Sequence, residues 1–263
     1  MQKSANNNTK PVRAPLRDVD GIFLLDKPSG ISSALALTKV RGIFRANKGG
    51  HTGTLDPLAS GLLPICLGQA AKFSSYFFEG AKKYVATGRL GITTTTCDAE
   101  GEVVETKDYK GCIDKLESTV KNFLGEITQI PPIYSAIKVD GRPLYKYARK
   151  GQEVEVPSRQ VEIFSIDIID KKDDEFTVEV YCSKGTYIRT LCNDIGEKLG
   201  CYGAMKSLLR TKVGMFGLEE AITLAELEQY RDEGKLAEVV LSPDRVFMHL
   251  PAVYALPEFC RLL

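Results

Sequence analysis

Apolar and polar positions change period several times along this chain, and each change predicts an element. "GIFLLDKPSG", from Gly21, is a short apolar run closed by Pro and Gly, a strand and then a turn. In "SSALALTKVRGIF" a serine precedes apolar residues at Leu37, Val40 and Phe44, the spacing of a capped helix. "LLPICLG" predicts a strand, "QAAKFSSYFFEG" a helix ending at Gly80, and "KKYVATGRLGI" another strand. Ile113, Leu116, Val120, Phe123 and Leu124 predict a strongly amphipathic helix. Strands follow at about 161–169 and at 176–182, where Phe176, Val178, Val180 and Cys182 alternate. "KGTYIRTLCNDIGEKLG" begins as a turn and becomes a helix through Ile188, Leu191, Ile195 and Leu199, with Gly200 as its stop. Thr223 and Glu226 form a capping box for one more helix. Strands separated irregularly by helices give an α+β class with a mixed sheet.

Two stretches follow neither period. "GGHTGTLDPLASG", Gly49 to Gly61, reads as neither helix nor strand and holds a single carboxylate, Asp56. Residues 129–160 have few large aliphatics, paired prolines, a DG turn and a basic cluster, which suits a protruding arm better than a core element.

Composition narrows the classes. The chain has 263 residues and 43% hydrophobic content, enough for a sizeable core. Lys+Arg total 35 against Asp+Glu 34, so the distribution of charge carries the information and the sum does not. Seven scattered cysteines without a CxxC pair fit no zinc spacing and suit a reducing cytosol. No apolar run has the length of a membrane span, and the opening residues lack the apolar core of a signal peptide. Residues 1–19 read as a disordered polar tail.

The glycine-rich stretch lacks the Lys and Ser/Thr that a P-loop places after its last Gly, which argues against nucleotide binding. His51 and Asp56 could be two metal ligands, but the sequence supplies no cluster for the rest, and the second histidine, His249, lies far along the chain. Asp56-Pro57 alone could simply open a turn. Its wider setting adds Tyr84 in "KKYVATGRLG" and Tyr187 with Arg189 in "SKGTYIRTL". An arginine beside a carboxylate keeps it ionised and aims it, and an aromatic ring offers a flat substrate a platform.

These same segments, "GGHTGTLDPLASGLLPICLGQAAKF", "KKYVATGRLGITTTTCDAEG" and "SKGTYIRTL", resemble motifs of the TruB family of tRNA pseudouridine synthases. "LLDKPSGISS" and "PPIYSAIKVDGRPLYKYARKG" resemble it too, in the same order, so the likeness runs from about Gly21 to Val246. The resemblance implies the pseudouridine synthase fold, with a largely antiparallel sheet flanked by helices and loops. It implies isomerisation of a flipped-out uridine, at position 55 of the T loop of tRNA, without cofactor or metal. Asp56 matches the catalytic aspartate, Arg189 its ion-pair partner, and Tyr84 the tyrosine that stacks on the base and shuttles a proton. Attack by the carboxylate on ribose C1′, attack on the uracil ring, and proton abstraction from C2′ all stay open, and all want it ionised.

The same likeness places Tyr187 and Leu208 in the substrate pocket and makes His51 a substrate-binding residue that helps hold the opened T loop. It places Lys27, Lys72, Arg142, Lys146 and Arg149 among substrate-contacting residues. Residues 20–248 would be the catalytic domain, with 129–160 as its RNA-gripping insertion. Residues 249–263 would be the start of a truncated or absent PUA-type domain. A cytoplasmic monomer whose partner is the tRNA T stem-loop is the expectation. Two other readings compete: a tRNA-binding or folding module whose catalysis is dispensable, and a guide-RNA-dependent relative of the dyskerin type.

Overall fold

The computed structural model describes residues 15–75, 80–248 and 250–251. Most of the expected polar tail, His249, and residues 252–263 therefore lie outside the described residues. From Arg17 the chain is already tied down, because Arg17 bridges Ala46 and Val19 packs against the core.

The strands are β1 (Gly21–Lys27), β2 (Gly49–His51), β3 (Ser60–Leu67), β4 (Lys82–Leu90), β5 (Ile92–Thr94), β6 (Val103–Thr106) and β7 (Gly125–Gln129). They continue with β8 (Lys138–Val139), β9 (Arg142–Pro143), β10 (Arg159–Lys172), β11 (Glu175–Cys182), β12 (Gly203–Val213) and β13 (Phe216–Gly217). The helices are α1 (Ser33–Phe44), α2 (Leu116–Val120), α3 (Leu144–Ala148), α4 (Ile188–Leu199) and α5 (Leu224–Asp232). The main sheet has the order β1-β3-β12-β4-β11-β10-β7, with β2 on β3 and β13 on β12. Its pairs are antiparallel except β3 with β12, which run parallel. This is the mixed, mostly antiparallel α+β sheet that the chain's patterning and its family resemblance imply.

Periodicity reports which strands are covered on both faces. β1 and β3 are nearly continuous apolar runs because both of their faces are buried. Phe23, Leu25, Leu63 and Ile65 enter the main core, while Ile22, Leu24, Leu62 and Cys66 enter a smaller one with Val213 and Phe216. β4 and β11 alternate because one face packs inward and the other is polar. On that polar face Lys83 pairs with Glu179 and Thr87 with Thr177.

Helix α1 starts as its serine signals, with Ser32 accepting from the Leu35 N–H. α4 ends at Gly200, which takes the left-handed conformation at φ 85°. Its Gly196 lies so close to β12 that an added Cβ would stand 2.2 Å from the Gly203 nitrogen and from the Tyr202 carbonyl carbon. The absence of a side chain there lets α4 rest on the sheet. α5 carries the predicted capping box, with Glu226 receiving the Thr223 N–H at 2.8 Å.

Several expectations are corrected. The amphipathic segment from Ile113 is not one helix: a 3-10 turn, the five-residue α2 and a second 3-10 turn follow in series, and Leu124 is exposed. "QAAKF" is part of a 3-10 helix over Gly68–Phe73, and the end of the predicted helix lies partly outside the described residues. The glycine-rich stretch is not wholly irregular, because Gly49–His51 form β2 and Ser60 and Gly61 open β3. β12, the strand that completes the site, carries no period strong enough to predict it.

Gly196→Ala should unfold at lower denaturant, by about 1–3 kcal/mol or more, the scale for forcing volume into a packed contact. An unchanged urea midpoint would show that α4 does not depend on this approach. Asp194, also on α4, is pushed up to about 6 by burial first and by Glu197 second. Its folded-state value thus exceeds the ordinary 3.8, so the stability it contributes is lost as pH rises from the lower value through the higher one. Asp194→Asn should therefore raise Tm at pH 8, on the order of 1 kcal/mol given its partial exposure, with no gain below pH about 4. Thermal melts at the two pH values check this, and an equal gain at both would contradict it.

Candidate functional site

The site lies where the segment between β2 and β3 crosses the end of α4. That segment is irregular, yet it is fastened at many points. Ser33 at the start of α1 exchanges two 2.8 Å hydrogen bonds with Leu55, donating to its carbonyl and accepting from its N–H. Ser29 donates to the Leu58 carbonyl, and the Gly30 N–H to the Pro57 carbonyl. The Arg210 guanidinium donates to the carbonyls of Gly53 at 3.1 Å and Leu62 at 2.8 Å. Asp56 is thus presented on a fixed loop.

Arg189 meets Asp56 in a two-point contact: Nε is 3.0 Å from Oδ2, and Nη2 is 3.3 Å from Oδ1. The guanidinium also donates to the carbonyls of Thr96 at 3.2 Å and Tyr134 at 2.9 Å, and lies 3.5 Å from Asp98. A cation in the first turn of a helix opposes the helix dipole. Here two carboxylates and two carbonyls offset that cost around a side chain only 5% exposed. Asp98 is itself held, accepting from the Thr96 hydroxyl at 2.5 Å and from the Glu100 N–H at 3.0 Å. Burial pushes the Asp56 carboxyl above the usual range; Arg189 pulls it down, Asp98 pushes it up again, and Lys27 lowers it. A third of the Asp56 side chain remains exposed, so the carboxylate faces the opening.

Tyr84 comes from β4, opposite Arg210 on β12 and Val180 on β11. Burial raises its hydroxyl above the usual phenol range, and a hydrogen bond with Arg210 acts against that rise. Leu208 is buried in the same core as Tyr84. Tyr187 caps α4; Gln129 fixes its backbone with 2.9 and 3.2 Å hydrogen bonds, and Arg159 lies over its ring at 5.9 Å. His51, half-buried on β2, has a lowered pKa from burial and from Arg210, and its Nδ1 is a buried atom without a partner.

The structure brings Asp56, Arg189 and Tyr84 into one electrostatic cluster. Lys27 is a correction. Expected to contact substrate, it is fully buried, and its ammonium donates to the carbonyls of Pro28 at 2.8 Å and Ile31 at 2.7 Å. Burial lowers it to about 8, while Asp56 acts in the opposite direction. It supports the site from beneath instead of lining it. Lys72 is not brought to Asp56 either: it follows the far end of β3, whose eight residues extend roughly 25 Å. Arg142, Lys146 and Arg149 lie on and beside β9 and α3, where Arg142 stacks on Tyr147 and Arg149 on Tyr145. The base of this arm reaches the site through the Tyr134 carbonyl on Arg189 and the Ile130 carbonyl on Thr190.

Two site residues escaped sequence reasoning. Asp98 stands in the polar run "TTTTCDAEG", where its 2% exposure leaves no mark in the pattern. Arg210 stands in "SLLRTKV" next to two leucines, where its burial leaves a mark only in those neighbours.

Comparisons with known proteins agree with one another. A model of the N-terminal domain of TruB family pseudouridylate synthases matches residues 41–188, and one of the tRNA pseudouridylate synthase B C-terminal domain matches 189–248. The chain is 51% identical over 251 residues to tRNA pseudouridine synthase B of Cupriavidus metallidurans, covering 94% of this chain and 79% of that protein. The protein of the same name from Stutzerimonas stutzeri is 47% identical over 243 residues, covering 91% and 80%. Among solved structures, a chain of a Cbf5-Nop10-Gar1 complex superposes with a TM-score of 0.68 at 30% identity, over 88% of this chain and 62% of that one. A chain of an H/ACA RNP bound to a substrate RNA gives 0.66 at 28% identity, again spanning under two thirds of that chain, at 62%. With both family models in register across residues 41–248 and half the residues identical to named relatives, the chain belongs to the TruB family of pseudouridylate synthases.

Proposed function

We propose that this enzyme converts uridine to pseudouridine in tRNA, at position 55 of the T loop, with Asp56 as the catalytic carboxylate. The observation that carries this reading is the two-point ion pair of Asp56 with Arg189 beside the buried phenol of Tyr84. In the reaction the bond from ribose C1′ to uracil N1 breaks, the ring turns, and C1′ bonds to C5. The C5 proton leaves and N1 gains one, so atoms and electrons balance without an external oxidant or reductant.

The target base must leave its stack to expose the glycosidic bond. The Tyr84 ring then serves as its platform, with Tyr187 and Leu208 as further walls. Arg189 holds the Asp56 carboxylate in a fixed orientation, which removes a reorganisation cost from the chemical step. The Tyr84 hydroxyl relays the proton from C5 toward solvent. The arm at 129–160 grips the T stem-loop through Arg142, Lys146 and Arg149, and His51 steadies the opened loop. The names of the bacterial relatives support tRNA as the substrate. The likeness to Cbf5 chains is lower in identity, which favours a stand-alone enzyme over a guide-RNA-dependent one.

Tritium release from uracil C5 of an unmodified tRNA transcript tests the activity. Asp56→Asn keeps the shape and removes the charge, and should lower turnover on the order of a thousandfold or more with tRNA affinity nearly intact. Substantial release by this variant would falsify the assignment of Asp56. Neutralising Arg142, Lys146 and Arg149 together should weaken tRNA binding while sparing kcat. Each lost phosphate contact should reduce the slope of log K against log salt by about 0.7–0.9. A slope equal to that of the parent protein would make these residues an ordinary solvated face.

A further inference from the structure

We propose that Arg210 is a positioning residue for the reaction: it holds the Tyr84 hydroxyl and the Asp56 loop in one frame, and supplies the countercharge when Tyr84 passes its proton on. This role rests on the reading of Tyr84 as a proton relay and adds to it the group that makes relay possible in a buried phenol.

Three observations carry it. Arg210 is 1% exposed and is the largest fully buried side chain of the described residues. Among those residues it has no carboxylate at ion-pair distance. A guanidinium desolvated to that degree costs several kcal/mol unless its donors are satisfied. Its donors go to two separate parts of the site, the Gly53 carbonyl in the loop of Asp56 and the Leu62 carbonyl on β3, and strand register sets it directly opposite Tyr84 on β4. Finally, the sheet places Arg210 between its neighbours by register, with Gly61 on one side and Tyr84 on the other. Gly61, at φ 97°, has room for no Cβ, because that atom would fall 2.4 Å from the Arg210 carbonyl oxygen.

The charges around the pair give the relay its direction. Tyr84 faces Arg210 from β12, Cys182 from β11 and Asp56 from the loop. Burial and Asp56 both oppose loss of its proton, and Arg210 favours it. Arg210 in turn faces Lys27 on β1, His51 on β2, Tyr84 and Asp56. When the hydroxyl first releases its proton toward solvent, the transient phenolate meets a fixed guanidinium, and the phenolate oxygen then takes the C5 proton and returns to the neutral phenol. No electron leaves the pair, and the net change is one proton moved.

The test is a double-mutant cycle on tritium release with whole tRNA. Arg210→Lys keeps the charge without the planar fork, and Arg210→Gln keeps an amide donor without the charge. Both are expected to lower kcat about 10- to 100-fold with little change in KM, and Gln should move the rising limb of kcat to higher pH. In a Tyr84→Phe background the further loss should be at least several-fold smaller than in the parent, leaving only the part that comes from the contacts of Arg210 with Gly53 and Leu62. Circular dichroism and Tm identify any variant that fails to fold, and the other then completes the cycle. Equal losses in both backgrounds, with Tyr84→Phe itself impaired, overturn the role of Arg210 and leave the proposed reaction standing. Wild-type turnover in Tyr84→Phe overturns the relay and this role together. Absence of tritium release from the parent protein instead contradicts the proposed reaction.

Discussion

Two guanidinium groups buried beneath a glycine-rich loop set the terms for the rest of this structure. Removing such a cation from water is expensive, and a lone salt bridge seldom repays the cost. Each therefore dictates its surroundings. Arg189 requires Asp56, Asp98 and the carbonyls of Thr96 and Tyr134 to converge on one point. Arg210 requires the carbonyls of Gly53 and Leu62, and it lies opposite Tyr84 across the sheet. These groups come from segments far apart in sequence, so satisfying the two charges organises the loop, the sheet and the root of the arm together.

The sheet's one parallel pair makes this convergence possible. β3 and β12 run side by side, which brings the end of the Asp56 loop next to Arg210. Gly61 lets the two backbones approach there, and Gly196 lets α4 approach the other end of β12. Arg189, in the first turn of α4, is thereby carried to the mouth of the same loop.

Local chemistry was legible in the sequence wherever a rule acts over a few residues. The strand at Gly21, the Ser32 cap, the Gly200 stop and the Thr223 box all follow from side chains within one turn of the backbone they serve. The family motifs pointed to Asp56, Tyr84 and Arg189, and the geometry groups those three. What stayed hidden depends on partners supplied by distant elements. The segment from Ile113 had helical spacing, but its tertiary setting splits it into short turns. Lys27 sits in a matched motif, and nothing local says that its ammonium turns inward to two carbonyls. Arg210 lies in β12, between β3 and β4, so its meaning exists only once three strands have assembled.

The order of these dependencies also bears on how the site is kept rigid. The thirteen-residue segment Gly49–Gly61, with four glycines, would by its composition sample many conformations. Here the glycines permit close approach, and the hydrogen bonds from Ser29, Ser33 and Arg210 remove the freedom they would otherwise leave. The entropy cost of that fixation is met during folding, before any RNA arrives. A carboxylate already oriented by a two-point contact then needs no search when a base enters. The arm differs in kind: its exposed arginines stack on its own tyrosines, and beyond its base at Ile130 and Tyr134 a short helix buries Leu144. Under the proposed function, rigidity is concentrated where bonds are exchanged, and the weaker anchorage falls where the RNA backbone would be gripped.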